Sequence, residues 1–333
     1  MKGTWELTTL TAVEPLARPT EFGLPSLRVD VSEVSLAYSS LGVLNLLLAD
    51  MTTGGSIIWA TKDHADLGPA FGADQPITVA SITGRNARVI RPRVQKSRAC
   101  QGDRSKDKAE VFTPSWLCNE QNNLVDEAWF GRTDVFNTVT RRGWRTHTAP
   151  IQFDSAGERT WRHYVDDPRL EVACGEAPYL VSRYDATTGD PIPLERRIGL
   201  LDRKLRVVTE RAHAESEWLH WAIRAYQSVY GFEFQGDNLL LARENLLASY
   251  VDYTRRALLR LPTQDELTVI AEIIAWNIWQ MDALTGTIPF KSLGSGLSEP
   301  ALFDMSDDEG QPCRIRDWRA NQTIEFRSLL TGG

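Results

Sequence analysis

Hydrophobic positions change their spacing along the chain, and the change divides it into two stretches. Up to about residue 95, short alternating or apolar segments such as SLRVDVSEVSLAY, SIIWATK and ITVASI are separated by turns rich in Gly, Pro and Asp. Alternation of this kind predicts strands, so residues 1–95 read as a small, mostly β N-terminal region. The run LGVLNLLLADM (41–51) is apolar nearly throughout, and its period fits a buried helix or a buried strand equally well. Further on, Trp116, Leu117, Leu124, Val125 and Trp129 fall at helical spacing and predict a helix with those side chains on its covered face.

From Leu170 the pattern becomes regular. LEVAC is strand-like, ESEWLHWAIRAYQSVY is amphipathic at helical period, and GFEF is strand-like again. A helical pattern then runs from Asn238 to about Leu261, a second covers 263–275, and NIWQM reads as a strand ending at Asp282. Strands alternating with helices predict an α/β sheet of the doubly wound kind. The stretch from Thr285 to Gln311, rich in Gly, Ser and acids, reads as a loop.

Composition narrows the class. With 333 residues at 42% hydrophobic, the chain is long enough for one large or two modest cores. No apolar run approaches the roughly 18–20 residues that span a bilayer, and MKGTWELTTLTAVEP lacks the apolar centre of a signal peptide. The expectation is a cytoplasmic protein without a membrane partner. Cys100, Cys118, Cys174 and Cys313 stand far apart, and the five histidines form no HExxH pattern, which argues against a structural zinc or metalloprotease chemistry.

Net charge is −7, unevenly spread. Between Arg85 and Lys108 nine cations face only Asp103 and Asp107, a local +7 that leaves −14 elsewhere. Such a stripe suits either contact with phosphates or a solvated linker.

Three carboxylates stand where the strand pattern ends. Glu171 precedes Ala173, Cys174 and Gly175, small residues that permit a tight turn and close approach of a ligand to the backbone. Glu233 closes GFEF just ahead of a helix, the place where an acid in an open α/β sheet receives two ribose hydroxyls, with Asp237 or Asn238 as helix cap. Asp282 closes NIWQM and suits an exocyclic amine. Trp276 and Trp279 read as core. Separately, Asp190 with Asp202, Arg203 and Lys204 loosely imitates a metal-dependent nuclease site, although IGLLDRKLRVV also reads as an amphipathic segment with solvated charges.

The order KAEVFTPSW, LEVACGEAPYL, YGFEFQGDNLLLARENLL and NIWQMDAL resembles the adenine-N6 DNA methyltransferases that serve as modification subunits of restriction systems. A narrower group of such subunits shares AEVFTPSW, GEAPYLVSRYD, IGLLDRKLRVV, YGFEFQGDNLL and NIWQMD. The resemblance covers residues 108 to about 284. It implies a Rossmann-like S-adenosylmethionine-dependent methyltransferase fold over 96–333, with DNA as partner and a restriction or specificity subunit beside it.

The same resemblance implies the pocket. Phe112, Thr113 and Pro114 would pack on the donor. Glu171, Ala173, Cys174 and Gly175 would form its first loop, Glu233 and Phe234 would meet the ribose, and Asp282 and Ala283 the adenine. The departures are Val172 in place of a proline and Ala177 in place of a second glycine. The NPPY tetrapeptide that holds the flipped base in this family is not found after Asp282, and Asn321 in RANQTIEF lacks both prolines, so no catalytic residue is assigned. The expected function is DNA methylation, with a catalytically silent donor- or DNA-binding subunit and a metal-dependent restriction nuclease as alternatives.

Overall fold

The computed structural model describes residues 31–96, 113–153, 159–290 and 310–330. Phe112, Cys100, the second half of the basic stripe and most of the acidic loop after Thr285 lie outside them. The fold is mixed α/β, built on three parallel strands: β3 (Arg169–Glu171), β4 (Val229–Glu233) and β5 (Ile278–Gln280), adjacent in chain order. Two helices precede each of the later strands, α5 (Leu200–Arg211) and α6 (Glu215–Gln227) before β4, α7 (Gly236–Leu258) and α8 (Gln264–Asn277) before β5. Among the described residues no helix is long and apolar enough to cross a membrane.

Upstream lie α1 (Glu33–Leu48), the single-turn α2 (Val79–Ile82), α3 (Ser115–Phe130), the β1–β2 hairpin (Asn137–Thr140 and Gly143–Thr146) and α4 (Trp161–Asp166). Downstream are the β6–β7 hairpin (Arg314–Asp317 and Gln322–Glu325) and α9 (Phe326–Leu330).

Over the described residues 31–95 the expectation of a mostly β region is corrected. Ser32 caps a 16-residue helix where SEVSLAY had suggested a strand, its side chain accepting from the Ser35 amide at 3.2 Å. Leu36, Val43, Leu44, Leu47 and Leu48 are buried, so the ambiguous apolar run resolves as a helix. SIIWATK contributes only isolated bridges, Ala49 with Ser56 and Ile58 with Pro76. ITVASI ends in α2, closed by the Thr78–Ser81 capping box. α1 packs on α8 and α7 and joins their hydrophobic core.

The lead-in helix is present as α3, but its covered face is polar: Ser115, Cys118, Asn119, Asn122 and Asp126 are buried, while Leu124 is 64% exposed. Arg203 explains the inversion. Its guanidinium bonds Asn119 at 2.9 Å, Asn123 at 2.8 Å and Asp126 at 2.5 Å, and Asp126 also accepts from Tyr164. Buried polar groups demand partners, and this network supplies them where leucines had been expected.

α7 runs through the middle of the protein, buried from Gly236 to Thr254. Arg243 at its centre is fully buried and donates to four backbone carbonyls: Leu47 at 2.7 Å, Ala49 at 2.8 Å, Ile278 at 2.8 Å and Ala275 at 3.1 Å. These carbonyls belong to the C-terminal ends of α1 and α8 and to the first residue of β5, where helix dipoles favour a cation. Burial pulls the guanidinium from 12.5 to about 10, so it stays charged at neutral pH. Arg243→Met leaves the four carbonyls without this donor and is expected to cost about 3–5 kcal/mol, measured by urea unfolding.

Gly236 lets α7 start against the N-terminal segment. A Cβ there would lie 2.0 Å from the Ile58 carbonyl oxygen, whereas one on Gly42 of α1 would meet nothing within 4 Å. Gly236→Ala is expected to destabilise by about 2 kcal/mol or more. Gly42→Ala should stabilise by about 0.5–1 kcal/mol. Opposite shifts of the two unfolding midpoints check both.

Candidate functional site

The parallel register brings the ends of three strands together. Glu171 pairs with Gly231, Gly231 with Ile278, and Glu233 with Gln280. Beyond β3 the chain turns sharply: Ala173, Gly175 and Ala177 all have positive φ, at 48°, 55° and 61°. The two alanines carry the cost of a conformation that glycine adopts freely. The Cys174 amide donates to the Phe232 carbonyl at 2.9 Å and extends the sheet by one bond.

Two of the expected carboxylates hold this loop. Glu233 accepts from the Gly175 amide at 2.9 Å and the Gln235 amide at 3.1 Å. Glu171 accepts from the amides of Tyr179 at 3.2 Å and Leu180 at 3.0 Å. Burial raises the Glu171 carboxyl from 4.5 to about 8, with a smaller push from Glu233, while the two amides pull it down. Burial also lifts the Cys174 thiol well above its usual range and Cys118 to about 12, so neither is a thiolate nucleophile at neutral pH.

A cavity of ≈ 610 Å³ opens at these strand ends, lined on the sheet side by Ala173, Phe232, Glu233, Phe234, Gln235, Met281 and Ala283. Its facing wall is Ala60, Thr61, Lys62, Asp63 and Ala73, with Phe290 at the side. Sequence reasoning missed that wall, because nothing in residues 60–73 signals chemistry by itself. Gln280 fixes it: the side chain accepts from the Ile58 amide at 2.9 Å and donates to the carbonyls of Ile58 and Phe234, each at 2.8 Å. The Gly236 amide adds a bond to the Trp59 carbonyl at 2.9 Å.

α7 begins at Gly236 with Gln235 as its cap residue, two or three positions before the expected cap. Asp237 lies fully buried in the first turn instead, 3.3 Å from Lys96 and 3.4 Å from His64. The same basic segment touches the turning loop, as the Arg93 amide donates to Glu176 at 2.6 Å.

Of the expected site residues, Ala173, Glu233, Phe234 and Ala283 line the cavity. Glu171, Cys174 and Gly175 build the loop behind it. Asp282 is turned to its own chain, accepting from the Leu284 amide at 2.8 Å, and holds the turn that carries Ala283. Pro114 caps α3, and the Thr113 carbonyl accepts from the Cys118 thiol at 3.6 Å, so both sit outside the lining.

The nuclease-like trio is dispersed, and its charges are buried instead of solvated. Asp202 accepts from the Ser182 amide at 2.7 Å, Arg203 serves α3, and Lys204 bonds Ser228 Oγ at 2.6 Å and the Asp167 carbonyl. Asp190 is exposed, bonded to Thr188. Among the described residues no group of three or more His, Cys, Asp or Glu is placed to hold a metal ion.

No protein-family model matches this chain, no curated protein matches it, and no solved structure matches it.

Because the Glu171 carboxyl is raised in the folded state, the protein binds a proton there that the unfolded chain has lost. Its stabilising contribution is complete below about pH 4.5 and is lost as pH rises through about 8. Glu171→Gln should therefore flatten the fall in unfolding free energy across that window. An unchanged slope would show that Glu171 titrates normally.

Proposed function

We propose that this chain binds S-adenosylmethionine at the carboxyl ends of β3, β4 and β5 and acts in adenine-N6 DNA methylation within a restriction-modification or phage-defence system. The observation that carries the reading is the cavity at these strand ends, with Glu233 in its wall and a loop of small left-handed residues beside it. Open α/β sheets take their ligands in that position, and three consecutive parallel strands are the ordering of one mononucleotide-binding half of a Rossmann-like sheet.

The lining fits the donor. Glu233 places a carboxylate, an acceptor-only group suited to ribose hydroxyls, in the cavity wall. Ala173 presents only a methyl group, so a ligand can approach the backbone there. Phe234 and Phe290, with ring centroids 5.7 Å apart, supply an apolar wall suited to a purine. The volume falls within the ~300–1,000 Å³ of small-molecule sites.

When bound, the cofactor supplies an electrophilic methyl on a sulfonium centre. The chain's own contribution is positional: Glu171 holds residues 172–180 in place, Glu233 orients the ribose side, and the Asp282 turn presents Ala283. The missing base-holding tetrapeptide supports a second reading, a donor-binding subunit that methylates DNA only with a partner chain.

Calorimetric titration with S-adenosylmethionine and S-adenosylhomocysteine tests the cofactor. Micromolar binding is expected, weakened in Glu233→Ala by about 1.5–3 kcal/mol, the scale of hydrogen bonds to a charged group. No binding by the native chain would overturn the reading, and unchanged affinity in the variant would remove Glu233 from the pocket. Transfer of labelled methyl to duplex DNA by the chain alone separates an enzyme from a silent subunit.

A further inference from the structure

A second cavity, of ≈ 370 Å³, lies at the opposite, amino ends of the strands, between the sheet and the β6–β7 hairpin. The hairpin and α9 cover Phe232 and Trp279 but leave the outer face of β3 open, where Leu170 is 47% exposed. Aromatic groups form the interior, with Trp279 and Phe326 at the back and Tyr230 and Trp318 half-buried at the sides. Both half-buried rings are fixed: the Tyr230 hydroxyl donates to the Arg316 carbonyl at 3.3 Å, and the Trp318 indole donates to Asn277 at 2.8 Å.

The charge around these rings is one-sided. Guanidinium groups of Arg169, Arg224, Arg316 and Arg319 line the cavity against the carboxylates of Asp166 and Asp317. Asp166 is shared by Arg224 and Arg319, while Asp317 accepts from the backbone amides of Arg319 and Ala320, each at 2.9 Å. Arg169 pairs with Asp167, yet its Nη2 is buried without a hydrogen-bond partner. Arg316 has no carboxylate partner among the described residues. It bonds Asn321 and stands over the ring of Trp318 at 5.2 Å.

We propose that this cavity is a second ligand site, taking a small planar aromatic molecule that carries one anionic group. The volume is near the lower end for small-molecule sites and admits a single ring system. Tyr230 and Trp318 offer aromatic surface for the ring, with Leu170 and Leu329 at the lip. Arg316 and Arg319 receive the carboxylate or phosphate, Arg316 supplying a charge that no acid among the described residues pairs with. The site owes nothing to the donor reading, and its place at the other end of the sheet allows both cavities to be filled together.

Calorimetry on the full chain with adenosine 5′-monophosphate and with indole-3-carboxylate tests the proposal. At least one should bind saturably, and which one does distinguishes a nucleotide from an aromatic acid. Adenosine, indole and inorganic phosphate, each lacking half of the chemistry, should bind at least tenfold more weakly. Arg316→Ala should cut affinity at least tenfold while the chain stays folded, since Arg316 pairs with no acid among the described residues and holds only Asn321 and the faces of Trp276 and Trp318. Binding should persist in Glu233→Ala and in saturating S-adenosylmethionine. Failure of both probes to bind, full affinity in Arg316→Ala, or loss of binding in Glu233→Ala would each overturn it.

Discussion

One buried guanidinium ties together the parts on which everything else is mounted. Arg243 stands at the middle of α7 and gathers the carbonyl ends of α1 and α8 and the start of β5. A cation in a dry interior is tolerated only where its donors are satisfied, and here helix C-termini supply partial negative charge as well as acceptors. The constraint fixes the N-terminal helix against α7 and α8. With α1 placed, Ile58 is held by Gln280, and residues 60–63 that follow it become the far wall of the strand-end cavity.

Carboxylates at strand ends serve the fold before they serve any ligand. Glu171 and Glu233 each accept two backbone amides from turns that would otherwise bury unsatisfied donors. The same bonds force the left-handed conformations at Ala173, Gly175 and Ala177 and so shape the cavity's edge. Local strain of this kind is held by surrounding structure and concentrates where ligands bind. Asp282 shows the alternative outcome, a carboxylate whose acceptor capacity is turned to its own turn.

The sheet's two faces are unequal. One is packed by α7, α8 and their neighbours into the large core, and the other is covered only in part by the β6–β7 hairpin. Parallel strands are normally buried on both sides. The uncovered strip along β3, with arginines around aromatic rings, follows from that imbalance.

Periodicity along the chain was sufficient for β4, β5, α7 and α8, and gave no sign of the β6–β7 hairpin. GFEF, NIWQM and the patterns over 238–261 and 263–275 correspond to β4, β5, α7 and α8, because strand and helix periods there are long, uninterrupted and bounded by polar residues. The grouping of Glu171 and Glu233 at one end of the sheet was legible for the same reason. The amino acid order did not disclose which face of α3 is covered, since Arg203, 80 residues from Asn123, decides that through hydrogen bonds. Nor did it disclose that residues 33–48 are helical, that residues 60–73 complete the cavity, or that Asp202, Arg203 and Lys204 are buried. Local pattern determines elements and their apolar faces. Long-range partners determine where the buried charges are satisfied and which carboxylates face a cavity, because local pattern does not specify what packs against them.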